Sequence, residues 1–74
     1  MPEHTDWELM AANILKAELK RKGVTYGQLV EKLAGLGIDE KEVNVRNKLS
    51  RGKFTAAFLL QCLTAIGLSE LRLL

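Results

Sequence analysis

Helix starts paired with glycine stops recur within 74 residues, and this punctuation limits the chain to a few short helices packed on one another. Thr5, Thr25, Asp39 and Thr55 each stand where a side-chain oxygen can cap a helix. Gly23, Gly35, Gly37 and Gly52 stand where a helix has to end. Three of the starts carry an acid or amide three residues on: Glu8 after Thr5, Gln28 after Thr25, and Glu42 after Asp39. That spacing lets the two side chains satisfy each other's backbone N–H groups as a capping box. Staples that fix the angle of the incoming chain are expected between Val24 and Leu29, Ile38 and Val43, and Phe54 and Leu59.

The first helix is expected over Thr5 to Lys22, with Trp7, Met10, Ala11, Ile14, Leu15 and Leu19 recurring at helical spacing as its buried stripe. Trp7 is read as core, with a partner contact as the alternative. The acidic start and the Lys20-Arg21-Lys22 end both suit the helix dipole. The second helix, Val24 to Leu36, buries Leu29, Val30, Leu33 and the stripe's edge at Leu36. Gly27 in its first turn either admits a close neighbour, protein or phosphate, or is a tolerated glycine. The third helix lies between Asp39 and Lys53. The run AAFLLQCLTAIG after Thr55 is apolar almost all round and is expected to be the most buried element. Cys62 lies within it, with no nearby His, Asp or second Cys, and reads as a core filler. The tail, Leu68 to Leu74, is either a short strand that pairs with a second copy or a frayed helix lying on Trp7. The expectation is one all-α domain over residues 1–74, a compact bundle of four to five helices with its core at about 6–67.

A chain this short buries roughly 60% of its unfolded surface and is marginally stable alone. Its 47% hydrophobic content is too high for disorder. No apolar run approaches the ~20 residues of a membrane span, and the acidic MPEHTDWE start is unlike a signal peptide. With one cysteine there is no internal disulfide, so a reducing compartment such as the cytoplasm is expected.

The net charge of +2 is unevenly spread. Residues 43–67 hold Arg46, Lys48, Arg51 and Lys53 and no acid, and Lys16, Lys20, Arg21 and Lys22 form a second basic group. Segregation of this kind suits a polyanionic partner. On the third helix, at about 100° per residue, Val45 and Leu49 project together, whereas Lys41, Asn44, Asn47, Lys48 and Arg51 share a broad arc away from them. Amides and cations backed by a narrow apolar seam fit a helix that reads a nucleic-acid groove. Catalysis is not expected: His4 is the only histidine, Cys62 is remote from it, and Asp39, Glu40 and Glu42 are explained by a helix start. No residue set has metal-ligand spacing, and no cofactor or small-molecule ligand is indicated.

Thr25 with Leu29, Leu33 and Gly37, then Leu49, Arg51-Gly52-Lys53 and a helix ending Ala65-Ile66-Gly67-Leu68, resembles the lambda-repressor-like (Cro-type) helix-turn-helix family. The resemblance covers about residues 8 to 68. More narrowly, Trp7, LKRKGVTY at 19–26 and NKLSRGKF at 47–54 resemble a small bacterial family of domains with no assigned function. The chain departs from the helix-turn-helix pattern in the longer interval before Arg51-Gly52, and in Arg46 standing where an apolar residue is usual. Val30 or Ala34 fills the small-residue position where the second and third helices cross.

The resemblance implies that the second helix rests on the DNA backbone, that the third enters the major groove, and that the protein binds as a homodimer. Asn44, Asn47 and Lys48 are then expected at base edges. Thr25, Tyr26, Gln28, Lys41, Arg51 and Lys53 are expected on phosphates. The resulting expectation is a sequence-specific double-stranded DNA-binding regulator using helix 40–51, dimerised through the 68–74 tail. The competing expectation is a protein-interaction or dimerisation module on the same bundle, without DNA binding.

Overall fold

A computed structural model describes residues 6–73. It contains four helices: α1 (Asp6–Lys22), α2 (Tyr26–Gly35), α3 (Glu42–Arg51) and α4 (Ala56–Ala65). No strand occurs among the described residues, so the 68–73 tail is irregular, neither the short strand nor the frayed helix. α3 packs against α1 and α2, and α4 packs against α2 and α1. The radius of gyration, 11.9 Å, is close to the roughly 11 Å of a compact chain of this length.

The local signals at α2 and α4 work as their chemistry requires. Thr25 Oγ1 accepts from Gln28 N–H at 3.1 Å, and Gln28 Oε1 accepts from Thr25 N–H at 2.9 Å, which completes the capping box. Thr55 Oγ1 accepts from Phe58 N–H at 3.0 Å at the start of α4. Phe54 meets Phe58 with ring centroids 5.6 Å apart and tilted by 56°. Each helix ends at a left-handed glycine, as at Gly37, where Ile38 N–H reaches Leu33 carbonyl and Gly37 N–H reaches Ala34 carbonyl. The Thr5–Glu8 box expected at the start of α1 lies outside the described residues.

α3 begins later than its sequence implies. Its N-cap is Lys41, which makes no side-chain cap bond, and Asp39 is exposed in the preceding loop. The cause is Glu40, whose carboxylate accepts from Lys41 N–H at 3.2 Å and from Lys48 Nζ at 2.7 Å. That pairing holds residues 38–41 outside the helix, so the helix spans 42–51 rather than 40–51. Val43, expected to staple onto Ile38, is instead 54% exposed.

The core is apolar throughout, with no buried polar or charged residue among those described. Leu15, Leu29, Leu33, Val45, Leu49 and Cys62 are its largest fully enclosed side chains. The face that α1 turns inward overlaps only part of the stripe its spacing implied: Leu15 and Leu19 are buried as expected, together with Ala12, whereas Trp7 is 68% exposed and Met10 stands at the surface. Because α1 is apolar around much of its circumference, periodicity alone could not choose the inner side. α4 also buries one side only, through Phe58, Cys62 and Leu63, and leaves Leu60 in solvent. Leu36, placed at the edge of the α2 stripe, is exposed as well. Leu68 and Leu71 pack from the tail against the core, and Leu73 remains exposed.

Candidate nucleic-acid interface

α3 is fastened on one side and open on the other. Val45 and Leu49 have no exposed surface, and Gly52 ends the helix in left-handed geometry, its N–H bonded to the Lys48 carbonyl at 2.9 Å. The end is also pressed against α1: a Cβ on Gly52 would lie 2.5 Å from the Glu8 carbonyl oxygen and 2.7 Å from its carbon. Contact that close fixes the position of α3 relative to α1. Asn44, Asn47 and Arg51 are all exposed on the arc opposite Val45 and Leu49, together with Val43 and Ser50, which the sequence reading did not include.

The other cations between residues 46 and 53 are engaged within the protein. Lys48 is half-buried, paired with Glu40, and its Nζ sits 4.3 Å from the centroid of the Phe58 ring. Lys53 Nζ lies 2.9 Å and 3.2 Å from the two carboxylate oxygens of Glu8, which ties the turn after α3 to the start of α1. Arg46 bonds Glu42 one turn earlier at 2.8 Å, and its guanidinium lies 5.9 Å from the centroid of Tyr26. Arg51 has no carboxylate within salt-bridge distance among the described residues. The lysine bond holds the Glu40 carboxyl below its ordinary pKa of 4.5, against the opposing effect of burial, with smaller help from the Lys41 N–H and the Asn44 amide.

At the start of α2, Thr25 and Gln28 are exposed and Tyr26 is half-buried beneath Arg46. The capping box uses the acceptor oxygens of Thr25 and Gln28, which leaves the threonine hydroxyl proton and the glutamine NH₂ as donors. The neighbour that comes close to Gly27 is a carboxylate: a Cβ there would lie 3.2 Å from Glu42 Oε1. Lys41 is exposed at the α3 N-cap. The structure therefore brings Asn44, Asn47 and Arg51 onto one open face, holds Lys48 and Lys53 against acids, and sets Thr25, Tyr26 and Gln28 across the α2–α3 seam.

Glu8, Glu40 and Glu42, read from sequence only as helix-start residues, turn out to be the counter-ions of Lys53, Lys48 and Arg46. The Glu42–Arg46 pair had a readable signal in its i,i+4 spacing. Glu40–Lys48 and Glu8–Lys53 had none, because folding alone brings those residues together. Cys62 is fully enclosed, and burial pushes its thiol up to about 12.

A family model described as Domain of unknown function (DUF6471) matches residues 7–71, nearly the whole chain. The chain belongs to that family, in agreement with the narrower of the two sequence resemblances. No curated protein and no solved structure matches the chain.

Proposed function

We propose that this DUF6471 domain binds double-stranded DNA and acts as a small transcriptional regulator, with α2 and α3 arranged as a helix-turn-helix. α3 would be presented to the major groove. The observation that carries the reading is the division of α3 into a fully buried seam, Val45 and Leu49, and an open face bearing Asn44, Asn47 and Arg51. An asparagine amide matches the paired donor and acceptor of the adenine edge, and an arginine at the helix end suits phosphate or guanine. Thr25, Tyr26 and Gln28 would meet the backbone, where the donors left over from the capping box point toward phosphate oxygens. Lys41 is placed to join them.

Lys48 and Lys53 enter this reading with a condition. Each must exchange a carboxylate for a phosphate, so their contribution to affinity is the difference between two ion pairs rather than a new contact. Arg51 carries no such offset. Anisotropy titrations of random duplex at several salt concentrations test the reading, followed by selection of a site from a random pool. Binding should weaken with salt, and Arg51→Ala should flatten the log–log slope by about one. Asn47→Ala should relax base preference by about 1–3 kcal/mol at one position. No binding at low salt, or a loss from Asn47→Ala that is equal on every sequence, would count against it.

A second reading, a protein-interaction module, is favoured by one feature: three of the four cations between 46 and 53 are already paired with acids of the same chain. Under that reading random duplex would not bind even at low salt.

A further inference from the structure

We propose that the outer face of α1 is a self-association surface, occupied by the same face of a second copy of this chain packed antiparallel. The inference does not depend on the nucleic-acid reading of α3.

α1 is apolar on two opposite sides. Its inner side, Ala12, Leu15 and Leu19, is buried in the core. At about 100° per residue, Met10, Ile14 and Ala17 run down the opposite side, flanked by Trp7 and by Leu9, which is 45% exposed. A surface helix normally opposes its buried stripe with charge, and a helix apolar on both sides sits between two layers. The described residues supply only one of them. The outer face continues into an apolar groove of about 190 Å³, where Trp7 and Ile14 meet Leu59 of α4 and Leu71 and Leu73 of the tail.

The occupant follows from charge and shape. α1 begins with Asp6 and ends with Lys20, Arg21 and Lys22. Glu8, tied to Lys53, and Arg21, bonded to Glu18, are already engaged within the chain, so a pairing of the ends falls to Asp6 and the two lysines. A parallel pair would stack like charges, whereas an antiparallel pair sets each basic end beside an acidic beginning, twice by symmetry. The outer face from Met10 to Ala17 has its midpoint between Asn13 and Ile14. An antiparallel pair centred there faces Met10 with the second copy's Ala17, large against small on both sides of the axis. The same register brings each exposed Trp7 ring toward the second copy's Lys20, a cation over an aromatic face. One helix face with a short tail lies at the small end of specific interfaces, so the pair should be weak and concentration-dependent.

Sedimentation of the full chain across the micromolar range tests this. The expected result is a reversible shift from monomer to dimer with rising concentration. Ala17→Glu, at an exposed position that leaves the core untouched, should weaken the dimer by roughly tenfold or more because it places a charge in the apolar seam. Circular dichroism of that variant should match the parent. Asn13→Cys, beside the axis, should form a disulfide-linked dimer under mild oxidation, whereas the parent, whose only thiol is the buried Cys62, should not. A chain that stays monomeric at high micromolar concentration would overturn the assignment and leave the face to a different protein. A dimer indifferent to Ala17→Glu, or one that Asn13→Cys fails to trap, would overturn the location.

Discussion

Replacing Gly52 by alanine tests how α3 is held, and its cost can be worked from two separate causes. The first is conformation. Gly52 has φ +69°, where an L side chain costs about 1–2 kcal/mol. The second is space. The new Cβ would lie 2.5 Å from the Glu8 carbonyl oxygen, 2.7 Å from its carbon and 3.1 Å from Leu9 N, all backbone atoms of α1. A backbone cannot rotate away as a side-chain tip does, so α1 and α3 must separate by about 1 Å, an overpacking strain of roughly 1–3 kcal/mol. Stiffening of the unfolded chain returns about 0.4–1 kcal/mol. The net loss is roughly 2–4 kcal/mol, or a fall in Tm of roughly 10–25 °C for a domain of this size. Gly23→Ala is the internal control, because Gly23 has the same φ of +69° but nothing within 4 Å of a Cβ. It should lose only about 1 kcal/mol by the conformational cause alone. Thermal and urea unfolding of the two variants measure the difference. Equal losses would refute the claim that the end of α3 is wedged against the α1 backbone.

Three further outcomes follow from the same structure. Thr25→Ala and Thr55→Ala should each cost about 1 kcal/mol in urea unfolding, since each removes the oxygen that caps a helix, and an unchanged midpoint would contradict the caps. Glu40 has a pKa lowered in the folded chain, so its ion pair stabilises fully above the unfolded value of 4.5 and is lost as pH falls through the folded value. The stability gap between the parent and Glu40→Gln should therefore be present at neutral pH and close in acid; a gap that widens in acid would reverse the sign of the argument. Cys62, with its thiol raised to about 12 by burial, should resist a thiol reagent at mildly alkaline pH until the chain unfolds, and rapid native-state labelling would show that α4 opens readily.

What was legible in the sequence was what local chemistry decides. Thr25 with Gln28, Thr55, and the stops at Gly23, Gly37 and Gly52 involve atoms within a few residues of one another, and each formed as its spacing required. Val45 and Leu49 were legible because α3 is polar elsewhere, so only one side could turn inward. The start of α3 was not, because Glu40 is captured by Lys48 eight residues on and the Asp39 cap never forms. The inner face of α1 was hidden by the helix's second apolar side, which drew Trp7 and Met10 into an expected core they do not join. The counter-ions of Lys48 and Lys53 lay beyond reach for the same reason, since Glu8 and Lys53 are 45 residues apart. Residue types therefore identified the open face of α3, but only folding decided which of its cations remain unpaired.

The measurement that bears most directly on the central claim is an amide NMR titration of the chain with random-sequence duplex at low salt. The largest shifts should fall on residues 43–51, with a second group at 25–28, and both should fade as salt is raised. No shift on α3, or shifts confined to the outer face of α1, would contradict it.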